Sequence, residues 1–187
     1  MIVDKRMKFI KSENDINYYL FKPSILSLYY NEKIKHKEYP VHLHTLSHKL
    51  HMLLYIVTNI RWGGYRVLYL ENKGEILSYI AFTKANNRII KNCEKNDYYT
   101  IFLWTYPEYR GKGLATKMSE SMLNDLTLNY KNFYKTISKD NLSSIRVAEK
   151  CGFSIKSECI KSKFFHTIHQ VDNGKQYLYV HSNNKDT

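Results

Sequence analysis

Apolar positions along the chain change their spacing after about the first third. Leu46, Leu50, Leu53 and Val57 recur three or four residues apart, which sets them on one helical stripe facing a core. The first 60 residues accordingly read as helical, and Gly63-Gly64 ends that segment. Two strand-like runs follow at 65–70 and 76–83. The segment Glu71-Asn72-Lys73-Gly74-Glu75 between them has hairpin-loop chemistry, so the pair is expected to be antiparallel. A third run at 98–105 is rich in aromatic and β-branched residues and stops short of Pro107.

The glycine turn Arg110-Gly111-Lys112-Gly113 comes next, and then a helix whose face is Leu114, Met118, Met122 and Leu126. Residues 133–138 read as a short strand. Asn141 suits the N-cap of a helix reaching Cys151, with Gly152 placed for the left-handed residue that closes it. Two late strands, around 153–165 and 176–181, flank the turn Asp172-Asn173-Gly174. The expected class is α/β, a mixed and mostly antiparallel central sheet flanked by helices. One domain is expected over 1–181: a helical part at 1–64, a core at 65–153 and a C-terminal hairpin at 154–181. A flexible polar tail at 182–187 completes the chain.

Composition narrows the class. The 187 residues are 43% hydrophobic and 25% charged, with 7 Gly and 3 Pro, which excludes collagen-like, low-complexity and wholly disordered chains. Lys and Arg number 29 against 17 Asp and Glu, a net charge of +12 that favours an anionic partner. Cys93, Cys151 and Cys159 form no CxxC pair and leave an odd thiol, so a disulfide framework is not expected and a reducing cytoplasm fits. Lys5, Arg6, Lys8 and Lys11 interrupt any apolar leader. The longest apolar run, 52–57, falls far short of the roughly 20 residues of a membrane span.

The candidate chemistry lies at 105–116. A strand entering a glycine turn and then a helix brings backbone amides and the positive end of a helix dipole to one place, a setting for phosphate or pyrophosphate. Lys112 and Lys117 add charge. The segment is not a Walker loop and does not match GxGxxG. Taken with a second segment at 141–153, it resembles the GNAT superfamily of acetyl-CoA-dependent N-acetyltransferases. The family's loop, P-x-Y-R-G-x-G-[IL]-[GA], stands unaltered at 107–115. Its later helix, N-x-x-S-x-R-V-x-E-K-x-G-F, stands at 141–153. The spacing between the two is also the family's.

That resemblance implies a transferase that takes acetyl-CoA as co-substrate, uses no metal and acetylates a primary amine. Leu103, Trp104 and Thr105 would pair with the pantetheine arm. The amides of Arg110, Gly111, Lys112, Gly113, Leu114, Ala115 and Thr116 would cradle the pyrophosphate, and Asn141 and Ser144 would face the thiol end. For the general base it points to Tyr99, to Asp97 acting through a water, and more weakly to Glu75. Many members carry a tyrosine acid where Ala148 stands, so Ser144, Cys151 or water would protonate the thiolate. The basic surface leans the acceptor toward an anionic one, such as a nucleotide-linked amino sugar or an acidic peptide.

Other constellations read more plainly. His44, His48 and His51 share a helical face opposite the leucine stripe, with no Asp, Glu or Cys to complete a zinc site, so the face is expected to be solvated or turned to substrate. His166 and His169 read as surface residues near the late hairpin. The 17 tyrosines fall largely in strand-like runs, and no nucleic-acid-binding motif accompanies them. Two rivals remain: a non-catalytic acyl-CoA-binding module, motivated by Ala148, and a basic nucleic-acid-binding protein, which is disfavoured. The sequence leaves open whether the protein is a monomer or a homodimer.

Overall fold

A computed structural model describes residues 7–22, 50, 65–126, 128–162 and 167–183. These hold nine strands and two α-helices. Six strand pairings are antiparallel and one, Tyr98–Thr105 with Asn132–Ser138, is parallel, so the expected mixed and mostly antiparallel class is borne out. The chain divides into two compact units, Met1–Thr83 with Phe102–Leu126, and Lys84–Ile101 with Thr127–Thr187.

In the first unit, β1 (Met7–Glu13), β2 (Ile16–Phe21), β3 (Arg66–Asn72) and β4 (Glu75–Lys84) pair in chain order. The helical reading of the first 60 residues is corrected over β1 and β2. Asn14 and Asp15 both take positive φ, 51° and 62°, and close a two-residue hairpin that a helix cannot accommodate. Leu50, expected in a core-facing stripe, is exposed. Leu46, Leu53, Val57 and the three histidines at 44, 48 and 51 lie outside the described residues. The β3–β4 hairpin forms as expected, with Lys73 at φ 49° and Gly74 at φ 89° supplying the bend.

Helix α1 (Leu114–Asn124) packs against β3 through the expected face, with Leu114, Met118, Met122 and Leu126 all buried. Its C-terminal end is pinned to β1 by the pair Lys11–Asp125, at 2.6 Å. That contact holds the Lys11 ammonium above its ordinary pKa through the hydrogen bond it donates to Asp125.

The second unit carries the strand order β5-β6-β9-β7-β8. Strand β5 (Tyr98–Thr105) meets β6 (Asn132–Ser138) only at its start, Tyr98 to Thr100 against Phe133 to Lys135. Strand β9 (Gln176–Ser182) is inserted between β6 and β7 (Ser154–Lys161), and β8 (Ile168–Gln170) borders β7. The late hairpin of the sequence reading is thus a three-stranded arrangement. Its β7 carries a bulge, because Ile155 and Ser157 face consecutive β9 residues and leave Lys156 without a partner.

Helix α2 (Leu142–Lys150) begins and ends as the sequence predicts. Asn141 Oδ1 accepts the Ser144 amide at 3.1 Å, and Gly152 takes φ 77° past the last turn. Nearby in the chain fold, Tyr130 meets Phe133 edge to face, and His181 meets both Tyr130 and Phe153 at a tilt.

Candidate active site

The glycine loop belongs to the first unit, and its geometry starts with the strand. Ser78 Oγ on β4 donates to the Trp104 carbonyl at 2.8 Å and lies 2.9 Å from Thr105 Oγ1. The Arg110 guanidinium folds back over the Trp104 indole, 4.8 Å from its centroid, while Nε donates to the Thr105 carbonyl at 3.1 Å. Two carbonyls at the end of β5 are therefore capped by side chains, and the arginine serves as a brace for the loop.

Pro107–Tyr109 form one 3-10 turn, and the Arg110 amide donates to the Pro107 carbonyl at 3.2 Å. The run of open amides consequently begins one residue later than the sequence suggests. Gly111 and Gly113 sit at φ 76° and 74°, the region that side chains avoid, and a Cβ on either would meet nothing within 4 Å. Gly113 caps α1 without any side-chain hydrogen bond. Among the described residues, the amides of Gly111, Lys112, Gly113, Leu114 and Ala115 have no protein acceptor. Five consecutive donors at the positive end of an eleven-residue helix, beside open space, could hold an anion. The Lys112 ammonium lies over the Tyr109 ring, 5.3 Å from its centroid.

The remaining candidates other than Glu75 stand on the second unit. Asp97 is buried, and its carboxylate accepts from the Glu94 amide at 2.9 Å, the Asn132 amide at 3.1 Å and Asn132 Nδ2 at 3.0 Å. Its own carbonyl accepts from Ala85 at 2.8 Å. This carboxylate ties the 84–97 segment to the start of β6. Tyr99 is fully buried, with its hydroxyl 2.9 Å from Thr136 Oγ1. Burial pushes the phenol up to about 12, partly offset by the bond to Thr136, so it stays protonated at neutral pH.

Asn141 spends its carbonyl oxygen on the Ser144 amide and on Ser143 Oγ, the latter at 2.9 Å. Ser144 is half-buried in the first turn of α2. Ala148, in place of the usual tyrosine, is fully buried, so a phenol there would have to displace its neighbours. Glu75, on the first unit, accepts a hydrogen bond from Tyr109. Among the described residues no group of three or more His, Cys, Asp and Glu could hold a metal. His169 is exposed on β8, and His166 lies outside the described residues.

Sequence reasoning missed Lys135. It lies on β6, 9% exposed, with its ammonium 3.8 Å from the centroid of the Phe153 ring. Burial lowers it to about 8, with Cys151 working weakly in the other direction. The signal was present in the alternation Phe133, Lys135, Ile137, which sets a lysine on an apolar face.

A glycine loop of open amides thus stands on a strand–turn–helix joint of a mixed sheet. The sequence model of the acetyltransferase (GNAT) family matches residues 26–153, and the chain belongs to that family of acyltransferases. No curated protein sequence matches it. Solved structures share its fold. The ribosomal-protein-S5-alanine acetyltransferase from Vibrio fischeri is 15% identical over 95% of this chain and 98% of its own, with a TM-score of 0.62. The microcin C7 self immunity acetyltransferase MccE, in complex with acetyl-CoA and AMP, is 18% identical over 91% and 94%, with a TM-score of 0.57. The spermidine N-acetyltransferase from Vibrio cholerae, in complex with CoA and spermine, is 18% identical over 72% and 73%, with a TM-score of 0.51. Among the described residues no helix is long and apolar enough to cross a membrane.

Proposed function

We propose that the protein is an N-acetyltransferase that binds acetyl-CoA and acetylates a primary amine by direct attack in a ternary complex. The carrying observation is the row of five acceptor-free amides from Gly111 to Ala115 at the head of α1, in a chain of this family. Acetyl-CoA supplies the thioester whose carbonyl the amine attacks, with the CoA thiol as leaving group. The residues present fit it: the donors match a pyrophosphate, the two glycines leave room for its close approach, and Lys112 adds charge, whereas the Lys117 ammonium pairs with Glu13 at 3.7 Å. MccE with acetyl-CoA and the spermidine enzyme with CoA support the same cofactor class here.

In this reading Leu103, Trp104 and Thr105 offer the strand edge along which the cofactor's arm extends, and Thr116 follows the amide row in the first turn of the helix. Asn141 and Ser144 line the thiol end, with Ser144 Oγ the hydroxyl available to protonate the thiolate. Tyr99 takes part as a protonated hydroxyl, since a phenol held near 12 cannot take a proton from an ammonium at neutral pH. Asp97 acts through the segment it holds in place.

Thermal unfolding with and without acetyl-CoA tests the reading. A ligand at 100 times its Kd stabilises by about 2.7 kcal/mol, and the rise in Tm should vanish in Gly113→Glu, which puts a carboxylate at the amide row. An unchanged wild-type Tm would overturn the proposal.

A further inference from the structure

One face of the second unit collects hydroxyls and ammonium groups that the loop chemistry does not use. Tyr99 and Tyr134 are direct partners in the parallel β5–β6 ladder, so their side chains leave the sheet on the same face. Thr136, two residues further along β6, shares it and lies 2.9 Å from the Tyr99 hydroxyl. Lys161 Nζ donates to the Tyr99 hydroxyl at 3.4 Å and lies 5.6 Å from the centre of its ring. Lys156 Nζ donates to the Tyr134 hydroxyl at 3.2 Å and lies 4.9 Å from the centre of that ring.

Two lysines from β7 thus reach the same two-tyrosine platform. The bulge makes this possible. Ser154, opposite Val180, and Ser157, opposite Leu178, share the tyrosine face, and the extra residue between Ile155 and Ser157 is the lysine that bonds Tyr134. Ser157 Oγ is itself buried, without a partner among the described residues. Glu158 alternates to the opposite face with Tyr177 and Ile137, and there it pairs with Lys139 at 2.5 Å. Lys156 has no carboxylate partner among the described residues.

We propose that this face is an oxyanion subsite, in which Lys156 and Lys161, braced on Tyr134 and Tyr99, hold the phosphate or carboxylate of an anionic amine acceptor together with the hydroxyls of Tyr134 and Thr136. The proposal rests on the acetyltransferase reading for the word acceptor. The subsite itself rests on the geometry. Its chemistry is donor-rich: point-charge ammoniums braced on aromatic rings, hydroxyls that turn to donate, and the neighbouring carboxylate of Glu158 turned to the opposite face. Specificity for an amine that carries an oxyanion over a neutral or polycationic amine follows directly.

The test titrates inorganic phosphate, and separately glutarate, into the protein saturated with acetyl-CoA while Tm is followed. Saturation with acetyl-CoA keeps the probes off the amide row. The expected result is a saturable rise for at least one probe, with phosphate and glutarate telling the two oxyanion classes apart. Lys156→Gln and Lys161→Gln should each weaken it about tenfold, the loss of one charge-assisted hydrogen bond. Lys156 is exposed, and the acetyl-CoA-induced rise in Tm serves as the folding control for both variants. A wild type that responds to neither probe, or variants that respond as the wild type does, would overturn the subsite. If acetyl-CoA itself leaves Tm unchanged, the acetyltransferase reading fails, and the phosphate and glutarate titrations of wild type and variants still decide the subsite.

Discussion

The Tyr109 hydroxyl donates to Glu75 Oε2 across 2.7 Å, joining the 3-10 turn before the glycine loop to the first residue of β4. That hydrogen bond pushes the phenol up to about 12, so it remains a donor throughout the working pH range. Tyr109→Phe should release the turn and leave the loop amides intact. The expected outcome is a KM for acetyl-CoA raised about fivefold with kcat unchanged, the signature of lost uniform binding. Steady-state kinetics against acetyl-CoA would show it, and Glu75→Gln should restore most of the affinity that Glu75→Ala loses. A fall in kcat with KM unaltered would remove the positioning role.

Asp97 separates a structural from a catalytic carboxylate. Three N–H donors converge on it inside the protein. Asp97→Ala leaves them unsatisfied and should cost about 3 kcal/mol, read as a lowered urea midpoint at constant slope. Should Asp97→Asn keep its stability and yet lose the alkaline-dependent limb of the pH–rate profile, the carboxylate would be the base after all.

Lys135 gives a pH dependence of opposite sign to the usual buried acid. Its folded pKa of about 8 lies below the ordinary 10.5, so between those values the unfolded chain binds the proton that the folded chain has given up. Stability therefore rises as pH increases from 8 toward 10.5 on account of this group, by about 3 kcal/mol. Below pH 8 the folded state bears a buried charge. Lys135→Met should raise Tm at pH 7 and flatten the rise at alkaline pH. Equal stability of the two proteins at pH 7 would show that the ammonium is already well solvated.

Gly174 is required by space and not by backbone freedom. A Cβ there would sit 2.5 Å from the Cys159 carbonyl oxygen and 2.6 Å from its nitrogen, backbone atoms held by the β7–β9 ladder. Gly174→Ala should destabilise by about 3 kcal/mol, whereas Gly113→Ala, facing open space, should cost about 1 kcal/mol. Chemical denaturation of the pair separates the two kinds of glycine.

Local grammar made the loop and both helices legible. The glycines at 111 and 113, the Asn141 cap and Gly152 each state their conformation within a few residues, and the structure repeats them. The β1–β2 hairpin was hidden because these strands bury little on either side, leaving no strict alternation to read beyond the Asn14-Asp15 bend. Insertion of β9 between β6 and β7 joins residues about 45 and 22 positions apart, a pairing decided by tertiary burial. Of the site, the amide row was readable and its first donor was not, since the turn that occupies the Arg110 amide depends on Pro107. The lysine–tyrosine platform was illegible because neither lysine is near its tyrosine in sequence.

The bulge in β7 makes the placement of Lys156 a matter of residue count rather than residue type. Loss of one codon between Ile155 and Ser157 would restore an unbroken ladder with β9 and remove the cation from Tyr134 in the same event. On the proposed subsite, a reading-frame-preserving deletion would change specificity while leaving strand order, hairpin and core composition as they were. Substitution at that position could alter the charge but could not make the strand more regular, so two mutational routes reach the same loss with opposite effects on the sheet.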